Sequence, residues 1–378
     1  MKKLFTIVLA ALMLCCTALA EDSLCLTALN VGKADALLLT AGDDVYLIDT
    51  GTDEGWGMLS CALKVLDVTH LTGVIVTHMD KDHDGGAAAL SMSGIQVDGW
   101  YASWAWEKDN WEKHPLVEAA ALQGAEVTTL AYGDTLPLGD GKMTVLGPLQ
   151  RREDSENDNS LVLLAEGGDG SILLTGDMKY DEEDDLLSAG VIPSCTVLKV
   201  AHHGRDDATS SAFVSAVSPQ IAVISTSTDE SPDKKVLNVL KNAGAQIYQT
   251  YQATCGIRVT VSGGKATAEV LNYGELPAIQ EGIAIEDKDN EADTLVIANH
   301  SSETADLSGW FIRSERGGEL FVIPQGTTLA SGGSLLIATD SSDESGDLHW
   351  PEKNVWHNSK SDTATLYDVY GREVTEAE

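Results

Sequence analysis

The chain has 378 residues, with 24 basic against 59 acidic side chains, a formal charge of −35 and 43% hydrophobic residues. That length points to two domains and supplies a sizeable core without disulfide staples. The acidity works against non-specific binding to nucleic acid or to anionic surfaces.

Residues 1–20 read as an export signal. Lys2 and Lys3 form a basic start, Leu4 to Leu14 an apolar stretch too short to span a bilayer comfortably, and Ala18-Leu-Ala20 a cleavage site. A retained anchor or a lipid at Cys15 or Cys16 competes with this reading, but neither cysteine follows the small residues that lipid attachment uses. The mature protein is therefore expected to be secreted and extracellular, with no transmembrane segment. Four cysteines would remain, Cys25, Cys61, Cys195 and Cys255; none has zinc-finger spacing, and they allow three disulfide pairings.

Four apolar runs then end abruptly in polar groups. Val45-Tyr-Leu-Ile leads into Asp49-Thr-Gly51, and Val74-Ile-Val-Thr leads into His78-Met-Asp80-Lys-Asp82-His83-Asp84-Gly-Gly. Leu173-Leu-Thr-Gly delivers Asp177, and Thr196-Val-Leu-Lys-Val-Ala delivers His202-His203-Gly204. Each pattern predicts a buried strand presenting its chemistry at the C-terminal end. Carboxylates crowded this closely repel one another, and a divalent cation held by them and the imidazoles would neutralise that repulsion. A solvated acidic loop explains one such segment; repetition at several strand ends argues for a metal site, with Asp49 behind it as a group that orients an imidazole.

Between these strands, Trp100, Tyr101, Trp104, Trp106 and Trp111 form the densest aromatic cluster. Core packing and a substrate-stacking wall near the metals are both open, with Trp104 the candidate contact. Lys199 interrupts an apolar strand, where an unpaired ammonium is costly, so it is expected to pair with a buried carboxylate. Arg205 is either a phosphoryl contact or a solvated loop residue.

The order and wording of these motifs resemble the metallo-β-lactamase superfamily, specifically its ComEC/Rec2-like competence branch. Asn30-Val-Gly-Lys-Ala-Asp35 resembles that branch's opening strand, and Asn159-Ser160-Leu-Val, Thr-Gly-Asp177 and His202-His203-Gly also match in order. The similarity covers about residues 22 to 275. It implies an α/β fold, the αββα sandwich, and a site holding one or two divalent ions, Zn²⁺ or Mn²⁺. Metal ligands are then expected among His78, Asp80, Asp82, His83, Asp177 and one of His202 or His203. Asp82 and Asp177 are the expected catalytic carboxylates, Asp49 and Asp84 orient imidazoles, and Asn159, Ser160, Arg205 and Trp104 are candidate substrate contacts. Two departures weaken one metal position: Asp80 replaces the superfamily's second His, and no His occupies the middle ligand place. Asp82, His83, Asp177 and one of the His pair form the complete set.

The segment Pro277 to Asp293 is acidic and poorly periodic and reads as a linker between a hydrolase domain, 21–276, and a second domain, 294–378. From Thr294 short apolar runs alternate with Gly-rich turns, the signature of an all-β sandwich. Asn299, Asp306-Leu-Ser-Gly-Trp310, Pro324-Gln-Gly-Thr, Trp356 and Asp362-Thr-Ala-Thr-Leu-Tyr resemble the lamin-tail domain, an immunoglobulin-like sandwich. That resemblance implies a non-catalytic module for a surface or protein partner, with Trp310 in its core.

The leading functional expectation is a secreted phosphodiesterase or nuclease using a metal-bound hydroxide. Its substrate would be a small-molecule or polymer phosphodiester, with DNA disfavoured by the net charge. The alternatives are hydrolysis of another ester, a wall-polymer phosphodiester or a lactam, and a non-catalytic metal-binding adhesion protein.

Overall fold

A computed structural model describes residues 23–106, 111 and 114–378; the expected leader lies outside them. Alternation of side chains assigns the layers. Leu24, Leu26, Leu39, Ile48 and Ile75 point into one core, whereas Leu38, Leu47, Val74 and Val76 on the same strands point the other way.

The first sheet orders eight strands as Lys265–Leu271, Gly256–Ser262, Leu24–Leu29, Leu37–Ala41, Asp44–Ile48, Gly73–Val76, Trp100–Ser103 and Val127–Leu130. The second orders seven as Gln246–Gln249, Ile221–Ile224, Val197–Lys199, Gly170–Leu174, Val162–Gly167, Gly141–Gly147 and Thr135–Leu138. They face each other across a core in which Leu26, Leu39 and Ile75 meet Leu163, Leu174 and Val223. Helices Trp56–Val65, Ala87–Met92 and Pro115–Leu122 cover the outer face of the first sheet. Tyr180–Ala189, Ser211–Val217 and Lys234–Asn242 cover the second. The layers are therefore αββα.

This layering explains the sequence pattern at the motifs. Gly73–Val76 is parallel to both neighbours and buried on both faces, so it is apolar without alternation. In the other sheet Val197–Lys199 is likewise parallel to both neighbours and buried, while Asp44–Ile48 and Gly170–Leu174 are parallel to one neighbour and buried over their last three residues. Parallel sheets present functional groups beyond the carboxyl ends of their strands, and all four motif-bearing strands do so here.

The aromatic run is chiefly core. Trp100 and Trp106 are buried, Tyr101 packs on the inter-sheet core, and the Trp104 indole N–H donates to the Pro148 carbonyl at 3.3 Å. Cys25, Cys61, Cys195 and Cys255 are buried free thiols. No helix among the described residues is long and apolar enough to cross a membrane.

The C-terminal part is a β-sandwich. One sheet runs Ile283–Asp289, Thr294–Asn299, Ser334–Thr339, Leu348–Trp350, and the other Leu320–Val322, Phe311–Ser314, Ala364–Tyr367, Glu373–Ala377. Ile297, Trp310, Ile312, Phe321, Trp350 and Trp356 fill the core between them. The expected linker 277–293 needs correction, because its second half is an edge strand. Ile283–Asp289 pairs with Thr294–Asn299, placing Ile283 and Ile285 inward and charged residues outward. Acidic composition marked the solvent face of a strand, as edge strands tend to carry charge.

One buried carboxyl gives the fold a pH dependence. Glu182, in the first turn of Tyr180–Ala189, is about 1% exposed, and neither side-chain oxygen has a hydrogen-bond partner among the described residues. Burial, reinforced by Asp158, pushes its carboxyl well above the ordinary range, against the opposing pull of Arg152. The folded state thus holds a proton that the unfolded state releases at lower pH. This contribution to stability is complete below the unfolded value and is lost as pH rises toward the folded one. Glu182→Gln should flatten the decline of the thermal midpoint between weakly acidic and alkaline pH, measured by scanning calorimetry; an unchanged slope would refute the assignment.

Candidate metal centre

The site begins with a carboxylate held by an unusual backbone. Asp49 follows strand Asp44–Ile48 with φ +59°, a left-handed conformation rare for a residue with a side chain. Its amide donates to the Ile75 carbonyl at 2.8 Å, locking the turn to the neighbouring strand. The side chain then accepts from the Thr77 amide (2.7 Å), the Thr77 hydroxyl (2.9 Å) and His83 Nδ1 (2.7 Å). With Nδ1 so engaged, His83 presents Nε2 to the centre.

Asp82 and His83 lie on the single helical turn Lys81–Asp84, which starts where strand Gly73–Val76 has ended. Asp177 arrives from the other sheet. The Thr175 hydroxyl donates to the Lys199 carbonyl at 2.7 Å, and the Asp177 amide donates to Ser160 Oγ at 3.1 Å. His202 and His203 both have positive φ, 47° and 53°, and this coil turns their side chains apart. His203 Nδ1 donates to the Ser225 carbonyl at 2.9 Å, so its Nε2 also faces inward. His202 Nδ1 instead meets Asp207 Oδ1 at 2.8 Å, leaving its Nε2 3.9 Å from Asp177.

Asp82, His83, Asp177 and His203 consequently offer ligand atoms that all lie within 4.8 Å of one another. Asp177 Oδ2 is 3.3 Å from both His83 Nε2 and His203 Nε2, and Asp82 Oδ2 is 3.4 Å from His203 Nε2. His83 Nε2, His203 Nε2 and Asp177 Oδ1 are buried without a hydrogen-bond partner among the described residues. Buried polar atoms are rarely left so, and the two imidazole nitrogens facing Asp177 Oδ2 fit a divalent cation with mixed nitrogen and oxygen ligands. His78 borders the group, its ring 4.1 Å from that of His83, with Nε2 also unpartnered and 3.6 Å from Asp80 Oδ2. His78 and Asp80 make a sparser position beside the four-residue set.

Without a cation, protons and ion pairs balance the charges. Burial pushes the two imidazoles down, but Asp177 foremost, with Asp49 at His83 and Asp82 and Asp35 at His203, outweighs it. His83 is held well above its ordinary value and His203 is raised to about 9. Burial likewise works against Asp177 and Asp82, yet the histidines hold both carboxyls below the usual range. A cation entering this centre therefore displaces protons from imidazole.

Under the ligands lies a second, fully buried pair. Lys199 Nζ is 2.6 Å from Asp35 Oδ2 and also donates to the Val200 carbonyl at 3.1 Å. This is the carboxylate partner expected for a lysine in an apolar strand. Burial pushes the Asp35 carboxyl up, but Lys199, followed by His203 and His83, holds it below the usual range. Asp35 stands 3.9 to 4.0 Å from Nδ1 of both His203 and His83. At the rim, Lys33 Nζ lies 3.1 Å from Asp82 Oδ2.

Other expected residues have different surroundings. Asp84 is buried with its carboxyl raised to about 7, chiefly by burial, and faces His114 Nε2 at 3.5 Å, so the imidazole beside it is not one of the four ligands. Asn159 is almost fully buried and braces the chain by accepting from the Arg152 amide and donating to its carbonyl. Ser160 is buried against Asp177, Trp104 is tied to Pro148, and Arg205 is exposed 3.7 Å from Glu230. Asn159, Ser160 and Trp104 thus make contacts within the protein, and Arg205 lies at the surface. Sequence reasoning gave no site role to Asp35, Lys33 or Asp207; Lys199 in an apolar strand was the signal that an acid such as Asp35 must exist.

Residues 29–228 match the family described as the metallo-beta-lactamase superfamily, and residues 279–378 match the lamin tail domain. ComE operon protein 3 of Bacillus subtilis is 28% identical, over 63% of this chain and 34% of its own length. Competence protein ComA of Neisseria gonorrhoeae is 28% identical over 62% and 32%, and recombination protein 2 of Haemophilus influenzae 27% over 52% and 23%. The chain thus spans about a third or less of these curated relatives. Among solved structures, MIM-2 metallo-beta-lactamase aligns with 19% identity and TM-score 0.33, over 46% of this chain and 70% of its own. A metal-dependent hydrolase of the beta-lactamase superfamily aligns with 14% identity and TM-score 0.42, over 64% and 99%.

Two outcomes follow for variants. His203→Ala should abolish retention of a tightly held divalent ion while His202→Ala keeps it, and Asp49→Asn should weaken affinity about 10–100-fold, read by chelator competition. Equal loss in both histidine variants would overturn the assignment of His203. Lys199→Met strands the Asp35 carboxylate and should cost about 3–5 kcal/mol in denaturant unfolding. The double variant Asp35→Leu/Lys199→Met should recover part of that; a double variant as unstable as the sum of the singles would show the pair is not coupled.

Proposed function

Since the chain belongs to the metallo-β-lactamase superfamily, in its ComEC/Rec2-like branch and with a lamin-tail domain, we propose that this hydrolase is an exported phosphodiesterase. The observation that carries the reading is the convergence of Asp82, His83, Asp177 and His203, with His83 Nε2 and His203 Nε2 buried and unpartnered among the described residues. Asp82, His83, Asp177 and His203 would hold a divalent ion, which when bound acidifies water toward neutral pH and offsets negative charge on the substrate. Asp80 adds an oxygen where related sites use imidazole, which favours Mn²⁺ at least as well as Zn²⁺.

The chain's own residues supply orientation and proton handling. Asp49 and the Ser225 carbonyl fix the two ligand imidazoles by their Nδ1 atoms. Lys33, beside Asp82, adds positive charge at the rim, favouring an anionic phosphoryl group over a neutral lactam. His202 is held by Asp207 through Nδ1, so its Nε2 is placed to pass a proton to a departing oxygen. Burial lowers the ring's affinity for a proton, so once charged it gives one up more readily. The leader pattern at residues 1–20 supports export.

The charge of −35 argues for a small or sparsely charged phosphodiester over a nucleic acid. The test runs an activated aryl phosphodiester, single- and double-stranded DNA and a chromogenic lactam on one preparation loaded with Zn²⁺ or Mn²⁺. The aryl phosphodiester should be turned over, and Asp177→Ala should remove that activity. Any DNA cleavage should hold steady or rise between about 50 and 200 mM salt, because screening relieves repulsion, opposite to a basic nuclease. Lactam turnover with no phosphodiester turnover under either metal would sink the proposal.

A further inference from the structure

The C-terminal sandwich is seated on the hydrolase rather than tethered to it. Phe311 stacks on Tyr367 with ring centroids 4.8 Å apart and planes 9° apart. Phe311 and Val322 are buried in the same cluster as Trp56, Leu59 and Leu63 of helix Trp56–Val65. Gly57, in the first turn of that helix, and Gly371 of the sandwich meet backbone to backbone. A Cβ on Gly371 would stand 2.6 Å from the Gly57 carbonyl oxygen, and one on Gly57 would stand 3.0 Å from Gly371 Cα. The Ser60 hydroxyl donates to the Val369 carbonyl at 2.9 Å, and Arg313 Nη2 is 3.4 Å from Glu54 Oε1. The gripping turn is itself stiff, because buried Asp368 accepts from the amides of Tyr370 and Arg372 and from the Arg372 guanidinium.

The gripped helix turn continues directly into loop 49–55. The Trp56 amide donates to the Asp53 carbonyl at 3.2 Å, and the Gly55 amide to Thr52 Oγ1 at 2.8 Å. That loop bears on the ligand turn at several points. Asp49 holds His83 Nδ1, while the Thr50 amide and hydroxyl both donate to the His83 carbonyl, at 2.7 and 3.0 Å. The Gly86 amide donates to the Gly51 carbonyl at 3.3 Å. An unbroken chain of packed and hydrogen-bonded groups therefore runs from the sandwich to a metal ligand.

We propose that the C-terminal sandwich is a positioning clamp: by gripping the first turn of helix Trp56–Val65 it fixes loop 49–55, and through Asp49 and Thr50 it fixes His83 for tight metal binding. The metal half of this statement rests on the hydrolase reading, whereas the clamping of the loop does not. Apolar contact carries the grip, since the Arg313–Glu54 pair, with Glu54 65% exposed, is worth little by itself.

The test uses the full chain and compares Phe311→Ala and Gly371→Ala, at the contact, with Ile297→Ala, fully buried in the sandwich's own core. Amide hydrogen exchange over residues 49–56 is measured without added metal, and ion retention against a chelator separately. The contact variants should speed exchange of the Thr50, Gly51 and Trp56 amides and weaken ion retention, each by about 10–100-fold, at a temperature where the chain stays folded. Ile297→Ala should lower the melting temperature and move neither readout. If Phe311→Ala does not fold, Gly371→Ala carries the comparison, with Arg313→Met expected to give a smaller change in the same direction. Wild-type exchange in the contact variants, or an equal effect from Ile297→Ala, overturns the clamp. A wild-type chain that holds no ion would instead remove the metal reading, and the exchange data would still decide the clamp.

Discussion

The Lys199–Asp35 ion pair is the constraint on which the site depends. It joins a strand of one sheet to a loop of the other across the floor of the ligand cluster, at 2.6 Å and with no solvent exposure of the lysine. Asp35 also receives its place through the backbone, donating to the Asp82 carbonyl at 3.0 Å and accepting from the Gly51 amide at 2.8 Å. Two charges this deep are stable only when well paired, so the pair sets the spacing of the two sheets where their strand ends must meet. Movement of either sheet would separate Asp177 and His203 from Asp82 and His83. The ligand set is thus as much a property of the interface between sheets as of its own motifs.

Sequence reads such a site unevenly. Asp82 and His83 were legible because an apolar strand breaks directly into them, a purely local signal. Asp35 was not, since the residue that requires it lies 164 positions away and only the cost of an unpaired Lys199 hinted at it. The choice between His202 and His203 was beyond any local rule. Adjacent and chemically identical, they are separated by left-handed backbone at both residues and by which partner, Asp207 or the Ser225 carbonyl, takes each Nδ1. Asn159 and Ser160 show the converse: their motif drew them toward substrate, yet both are buried and hold Arg152 and the Asp177 amide.

Domain organisation shows the same division. The hydrolase fold was legible through the resemblance its motifs carry and the sandwich through periodicity and turns, but the start of the second domain was placed too late. An acidic stretch resembles a linker when only its composition is weighed, and Ile283–Asp289 buries just Ile283 and Ile285 of seven residues. The contact between the domains left no pattern either, because Gly57 and Gly371 look like ordinary glycines until their backbones are seen to touch.

The paired left-handed histidines carry an energetic implication of their own. Left-handed backbone costs roughly 1–2 kcal/mol at a residue with a side chain, and His202 and His203 adopt it consecutively. The surrounding structure supports that cost partly through the Ser225 and Asp207 contacts. An ion held by His203 would add support from the opposite side of the same turn, since ligand binding to the native state raises apparent stability by mass action. Batches differing only in metal occupancy would then behave as proteins of different heat tolerance and different susceptibility to proteases, though their sequence and fold are the same.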